Sequence, residues 1–405
     1  MADNGLGVRA TARLVPCNPG YVSSIASGRK IPSQDMAVRL DEMLGAKGRL
    51  ASCLPPDTAR QFGRITEIPG PRRPPRVIEA LKMISTTDSE NLDAVTGILS
   101  DLIAHYSQAV AMSRNDAVYD DLLSVRSFAN SLLAQERHSR LADLAVTAGW
   151  LSSLLAASAT DMGDHAAALV WCSDAERRGQ DAGQPELLGW AALTRALIAY
   201  YQGQAQRSSA LACKGQEVTS PGMAAYARLA AQEMRARAML GDTAGMESAR
   251  KRARAAMEKL PPDAATSGVF SIPQAADPPY TATSLLLAGR YQEAASTTRQ
   301  IIETVYHPET RNPGDQPTNY ARTLLILGLS EVGNDQIGEA SAAGIAALEC
   351  GRTVWPTLVL ARRLDRLIVG NGKQSEYASA YHAQYRDTAE RAARPDPPGQ
   401  HEGTP

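Results

Sequence analysis

Apolar residues recur along this chain at helical rather than strand spacing. Near the start, Val8, Ala12 and Val15 share one face of a short helix, Pro16 and Cys17 interrupt it, and Tyr21, Val22 and Ile25 form the inner face of a second short helix. Asn18 is placed to cap that second helix, with Pro19 in its first turn, and Gly28 suits the left-handed residue that ends it. From about Ser89 onward one design recurs: an Ala- and Leu-rich helix, a turn holding glycine or aspartate, and a second Ala-rich helix. The turn glycines Gly163, Gly203, Gly241 and Gly289 are 40, 38 and 48 residues apart, and Asn334-Asp335 makes a fifth turn. Such a period predicts stacked helix hairpins with rather long connections.

The ends of the stack are legible too. A pair from Asn91 to about Met112 and from Val118 to about Arg137 is expected to cap it on one side. Helices from Arg352 to Ile368 and from Ser375 to about Ala392 are expected to close the other. The connections Pro261–Pro279 and His307–Pro317 are long and proline-rich, a kind of loop that is either functional or mobile. The expected organisation is all-α: residues 1–53 as one small domain, 54–88 as a proline- and arginine-rich linker, 89–392 as the helical repeats, and 393–405 as a disordered tail.

Composition agrees with a globular chain, 44% hydrophobic and 21% charged over 405 residues. No run approaches the roughly 18 uninterrupted apolar residues of a membrane span, and the start lacks a basic region followed by an apolar run, so a cytoplasmic protein is expected. Five scattered cysteines with no Cys-x-x-Cys pair fit a reducing compartment. The net charge of −1 conceals an asymmetry: residues 1–82 carry thirteen Lys or Arg against seven Asp or Glu, a balance of +6, which leaves −7 for the rest. That surplus is what phosphate neutralisation requires, and it is equally what a solvated linker carries. Arg72, Arg73 and Arg76 admit the same two readings.

The consecutive residues Asn18-Pro-Gly-Tyr-Val-Ser-Ser-Ile-Ala-Ser-Gly-Arg-Lys30, with Pro32-Ser33 and Met36 to Gly45 after them, resemble the lambda-repressor-like (XRE, or Cro/C1) helix-turn-helix domain over about Gly7 to Leu50. The resemblance implies sequence-specific binding of double-stranded DNA, usually by a homodimer, with the second helix in a major groove about 12 Å wide. The family's domain opens with a further helix, and only Met1 to Leu6 precede the motif here, so that helix is expected to be missing. The recognition helix starts with Pro19 and Gly20, neither of which offers a side-chain donor or acceptor. Asn18, Tyr21 and Ser24 are left to read bases, with Gly20 allowing close approach and Arg9, Arg29 and Lys30 at the phosphates.

The hairpins resemble tetratricopeptide repeats from roughly Asp143 to Leu348. Leu324-x-x-Leu327-Gly328 followed by Glu339-Ala340, and Gly-Arg-Tyr-Gln-Glu-Ala at 289–294, carry the likeness. Ala168, Ala175, Ala196, Ala294 and Gly328 are small where paired helices cross. The resemblance implies an α-solenoid that holds a peptide, a small-molecule effector or a second subunit.

No chemistry stands out. Asp161-Met-Gly-Asp-His165 lacks a second His or Cys one turn away, so Asp164 reads as a helix cap and not as a metal ligand. Asp116, Asp120 and Asp121 read as an acidic helix start. No phosphate-binding glycine loop or catalytic motif is present, and neither an enzyme nor a cofactor is expected. Trp150, Trp171, Trp190, Tyr200 and Tyr201 read as core, with a ligand groove as the other reading, and Arg250-Lys-Arg-Ala-Arg254 reads as a solvated helix face. The sequence thus predicts a bacterial-type transcriptional regulator. The alternative is a protein-interaction scaffold whose helix-turn-helix has degenerated.

Overall fold

A computed structural model describes residues 11, 19–27, 34–46, 49, 76–85, 92–112, 115–135, 141–273, 277–306, 316–350, 353–370 and 376–393. Every regular element among them is helical. The chain divides into two compact units, residues 1–73 and 74–405.

In the first unit, α1 spans Pro19–Ala26 and α2 spans Gln34–Leu44. Val22 is buried in α1 while Ser23, Ala26 and Ser27 are exposed; α2 buries Ala37 and Leu40, and Thr11 is buried. Gly45, at φ +63°, ends α2, with its own N–H donating to Glu42 O and the N–H of Ala46 to Asp41 O.

The second unit begins with α3 (Arg76–Ser85), α4 (Leu92–Met112) and α5 (Asn115–Gln135). Helix α3 lies inside the stretch read from sequence as linker. Val77, Ile78 and Leu81 make a helical apolar stripe, and Ile78 and Leu81 are buried with Val95, Leu99, Leu122 and Val125 of α4 and α5. Tertiary packing at its end overrides the linker's proline-rich composition.

Six hairpins follow: α6 (Leu141–Met162) with α7 (His165–Asp181), α8 (Pro185–Tyr201) with α9 (Ala205–Val218), α10 (Ala224–Met239) with α11 (Thr243–Met257), α12 (Thr281–Leu287) with α13 (Tyr291–Val305), α14 (Pro317–Gly333) with α15 (Ile337–Leu348), and α16 (Trp355–Gly370) with α17 (Glu376–Ala393). The turns repeat one geometry. Gly163, Gly203, Gly241 and Gly289 all have positive φ; each donates its N–H to the carbonyl three residues back, and the next residue donates to the carbonyl five back. Asp335, at φ +61°, does the same in the fifth turn without being glycine. Asp164 caps α7 by accepting from Ala167 N at 3.0 Å, and Asp242 caps α11 from Gly245 N at 2.8 Å.

Each first helix packs on its own partner and on the first helix of the next hairpin, so α4, α6, α8, α10, α12, α14 and α16 form an inner layer. Small residues permit the close approach. Ala168, Ala175, Ala196 and Ala294 are fully buried, and a Cβ on Gly328 would lie 2.9 Å from Ala340 O. The inner layer also curls back on itself, since α14 touches α4 and α16 touches α6. By length and composition one described helix, Ala142–Met162 within α6, is apolar enough to cross a membrane. Its most apolar stretch is 67% buried inside the fold, as a core helix is.

Candidate functional site

The inner layer lines a partly open cavity of about 260 Å³ that takes wall residues from α4, α6, α8, α10, α12, α13, α14 and α16. Its remaining wall is the connection between α11 and α12, which crosses the inside of the stack. Val269 N–H donates to Ser107 O at 3.2 Å and to Ser107 Oγ at 2.9 Å, and Gln108 Nε2 donates to Ser267 Oγ at 2.8 Å, so the strap is pinned to α4. Phe270 lodges between Trp150 and Trp190, with ring centroids 4.9 Å and 5.3 Å away. Farther along, Asp277 accepts from Arg250 at 2.9 Å and from Arg254 at 2.5 Å. The basic run expected to be a solvated face therefore has two of its arginines clamped on the strap, while Arg252 pairs with Glu233 at 2.6 Å.

Three arginines, Arg228 and Arg235 of α10 and Arg322 of α14, line the cavity. Arg235 is only 2% exposed. Its guanidinium lies between the rings of Tyr200 and Tyr280, 3.8 Å and 3.9 Å from their centroids. A chain of buried hydrogen bonds orients it: Ser208 Oγ donates to Ala196 O, Gln232 Nε2 donates to Ser208 Oγ, and Arg235 Nη2 donates to Gln232 Oε1. Arg228 stands 5.2 Å from the Tyr280 ring, and Arg322 is held by Asn319 Oδ1 and Thr318 O. Burial pushes the Tyr201 phenol up, yet the charges of Arg235 and Arg322 and their hydrogen bonds to its oxygen bring it below its usual value.

On the outer side of the same helix the charges balance. Glu233 accepts from Arg252 and from Gln216 at 2.9 Å; burial alone would raise its carboxyl, and these partners hold it below the usual range. A second cleft, of about 620 Å³, lies between residues 254–273 and Thr297–Thr304 and contains no buried polar atom lacking a partner among the described residues.

Trp190 and Tyr200 are buried, as a core assignment requires, but with Tyr201 they also face the cavity. The arginines escaped the sequence reading. Their signal is Arg228, Gln232 and Arg235 at helical spacing i, i+4, i+7, a polar stripe on an otherwise Ala-rich inner helix. Elsewhere, burial pushes the thiol of Cys172 up to about 12 and that of Cys350 up to about 11, so neither is an activated nucleophile. Among the described residues no group of His, Cys, Asp and Glu is arranged to hold a metal ion, and His165 packs on Trp355 with centroids 4.1 Å apart.

Of the residues expected to touch DNA, Gly20, Tyr21 and Ser24 have their backbone in α1. Their side chains lie outside the described residues, as do Arg9, Asn18, Arg29 and Lys30, the start of the first expected helix and the tail 394–405. Compared with known proteins, the chain matches no family model and no curated protein.

Proposed function

We propose that the chain is a DNA-binding transcriptional regulator, in which the N-terminal helices read duplex DNA and the helical stack senses a ligand. The observation that carries this reading is the division of faces in α1, where Val22 is buried while Ser23 and Ala26 are exposed, as is Ser27 just after it, followed by the amphipathic α2. A short helix with small polar residues outward is what a major groove admits. The basic surplus of residues 1–82 supports it. In this reading Arg9, Arg29 and Lys30 meet phosphates, Asn18, Tyr21 and Ser24 meet base edges, and Gly20 allows the close approach. The repeats form a tetratricopeptide-like solenoid, and the regulator acts as a cytoplasmic homodimer whose ligand alters the placement of two reading heads.

A salt titration of the full chain on sheared duplex DNA tests this. The logarithm of affinity is expected to fall linearly with that of salt, by about 0.9 for each phosphate neutralised. The double substitution Arg29→Ala, Lys30→Ala is expected to reduce that slope by about two. Binding that ignores salt, or a slope unchanged in the double variant, overturns the reading.

A further inference from the structure

We propose that the inner chamber binds a small organic anion, a carboxylate or phosphate group on an apolar body, with the acid group held by Arg228, Arg235 and Arg322. The proposal rests on the sensing half of the proposed function and names its ligand class.

Three of the ten buried polar side-chain atoms that lack a partner among the described residues belong to side chains lining this cavity. These are Arg228 Nε and Arg235 Nε on α10 and Thr318 Oγ1 on α14. An unpaired buried guanidinium N–H is costly, and such atoms normally find protein or water. Both faces of Arg235 are covered by Tyr200 and Tyr280, so its remaining donors point along the guanidinium plane, the direction in which a carboxylate or phosphate is bound.

The charge count agrees. Two acids reach the chamber: Asp277 is engaged by Arg250 and Arg254, and Asp161 acts on Arg322. Arg235 meets the Tyr201 hydroxyl, which it shares with Arg322, rather than a carboxylate. Tyr280 supplies an independent sign. It has φ +68°, a left-handed conformation that bulky side chains rarely adopt, and that backbone places its ring on Arg235.

Size separates a small molecule from a peptide. The strap occupies the inside of the stack, and the space left, about 260 Å³, lies just below the roughly 300–1,000 Å³ of typical small-molecule pockets. Leu193, Leu197, Val269 and Ile326 give the ligand an apolar wall.

The test uses the full chain without DNA, reading thermal shift and titration calorimetry with benzoate, indole-3-acetate and phenyl phosphate. Inorganic phosphate, benzamide and indole-3-acetamide serve as counterparts. At least one organic anion is expected to raise the Tm and bind, its neutral amide is expected not to, and phenyl phosphate is expected to exceed inorganic phosphate if the head group is a phosphate. Arg228→Gln and Arg322→Gln are expected to weaken the bound anion about tenfold or more, whereas Arg207→Gln, on an exposed site, is expected not to. Arg235→Met risks misfolding, which is why the two less buried arginines carry the test. Absence of binding by every organic anion at about 10 mM, equal binding of the amides, wild-type affinity in both variants, or binding of an acidic decapeptide alone would each overturn the proposal. Duplex-DNA affinity with and without the bound anion is then a separate measurement: no change there removes the coupling and leaves the ligand class standing.

Discussion

Phe270 stands edge-on to Trp150, with ring centroids 4.9 Å apart, and this pair joins the strap between α11 and α12 to a helix far earlier in the chain. Aromatic pairs of this geometry add about 0.5–1.5 kcal/mol beyond the area they bury. Phe270 is half-buried, so Phe270→Ala is expected to cost about 1–3 kcal/mol, below the range for a fully buried ring. Amide exchange at Val269 is expected to accelerate more than exchange in α10. Equal acceleration in both would show that the strap is not a separately held unit.

Gly268 makes the strap's approach to α4 possible. Its φ is +92°, and a Cβ there would lie 2.6 Å from Ser107 Oγ. Gly268→Ala is therefore expected to destabilise by about 1–3 kcal/mol through backbone strain and overpacking together. Urea unfolding is expected to show a lower midpoint with an unchanged m value.

Asp174 ties α5, α6 and α7 together by accepting from Arg126 Nη2 at 2.7 Å, Ser152 Oγ at 2.7 Å and Arg178 Nε at 3.0 Å. Burial by itself would raise its carboxyl, but the hydrogen bonds from Ser152 and Arg126 and the two guanidinium charges hold it well below the usual carboxylate range. A carboxyl depressed in the folded state adds stability that is present above its unfolded value, near 3.9, and is lost as pH falls toward the folded value. Asp174→Asn leaves Arg126, whose side chain is 3% exposed, without its counter-charge. The expected loss near neutral pH is about 3–5 kcal/mol. Its difference from wild type is expected to narrow below about pH 4 in urea midpoints taken across the acid range. A difference independent of pH would refute the ionic account.

Two glycines are expected to respond in opposite directions. A Cβ on Gly189 would meet Ala225 Cβ and Thr219 Cγ2, both at 2.6 Å, where α8 crosses its neighbours, so Gly189→Val is expected to cost at least about 1–3 kcal/mol. Gly97 in α4 has open space around it, and Gly97→Ala is expected to stabilise by about 0.5–1 kcal/mol. Thermal midpoints of the two variants decide the matter.

The hairpin turns were readable because each depends on a few neighbouring residues. A glycine at the left-handed position and an aspartate after it set the turn at Gly163-Asp164 and again at Gly241-Asp242, whatever the rest of the chain does. Helix α3 was missed because its apolar stripe is only three residues wide and follows a proline-rich run; it gains its place from the core of α4 and α5. At Arg250–Arg254 a face with Lys251 and Arg254 exposed also anchors the strap, since Asp277, which pairs with two of its arginines, comes from a loop whose path no local pattern encodes.

The sequence by itself determined the helical class, the hairpin turns and the small residues at helix crossings, all of which follow from backbone conformation and steric room over a few residues. Only the tertiary structure decided that Arg235 is buried between Tyr200 and Tyr280, and that α14 returns to touch α4 beside the cavity. The small rotation added by each hairpin accumulates along the stack, and whether the sum forms a chamber is a property of the whole array that no single segment carries.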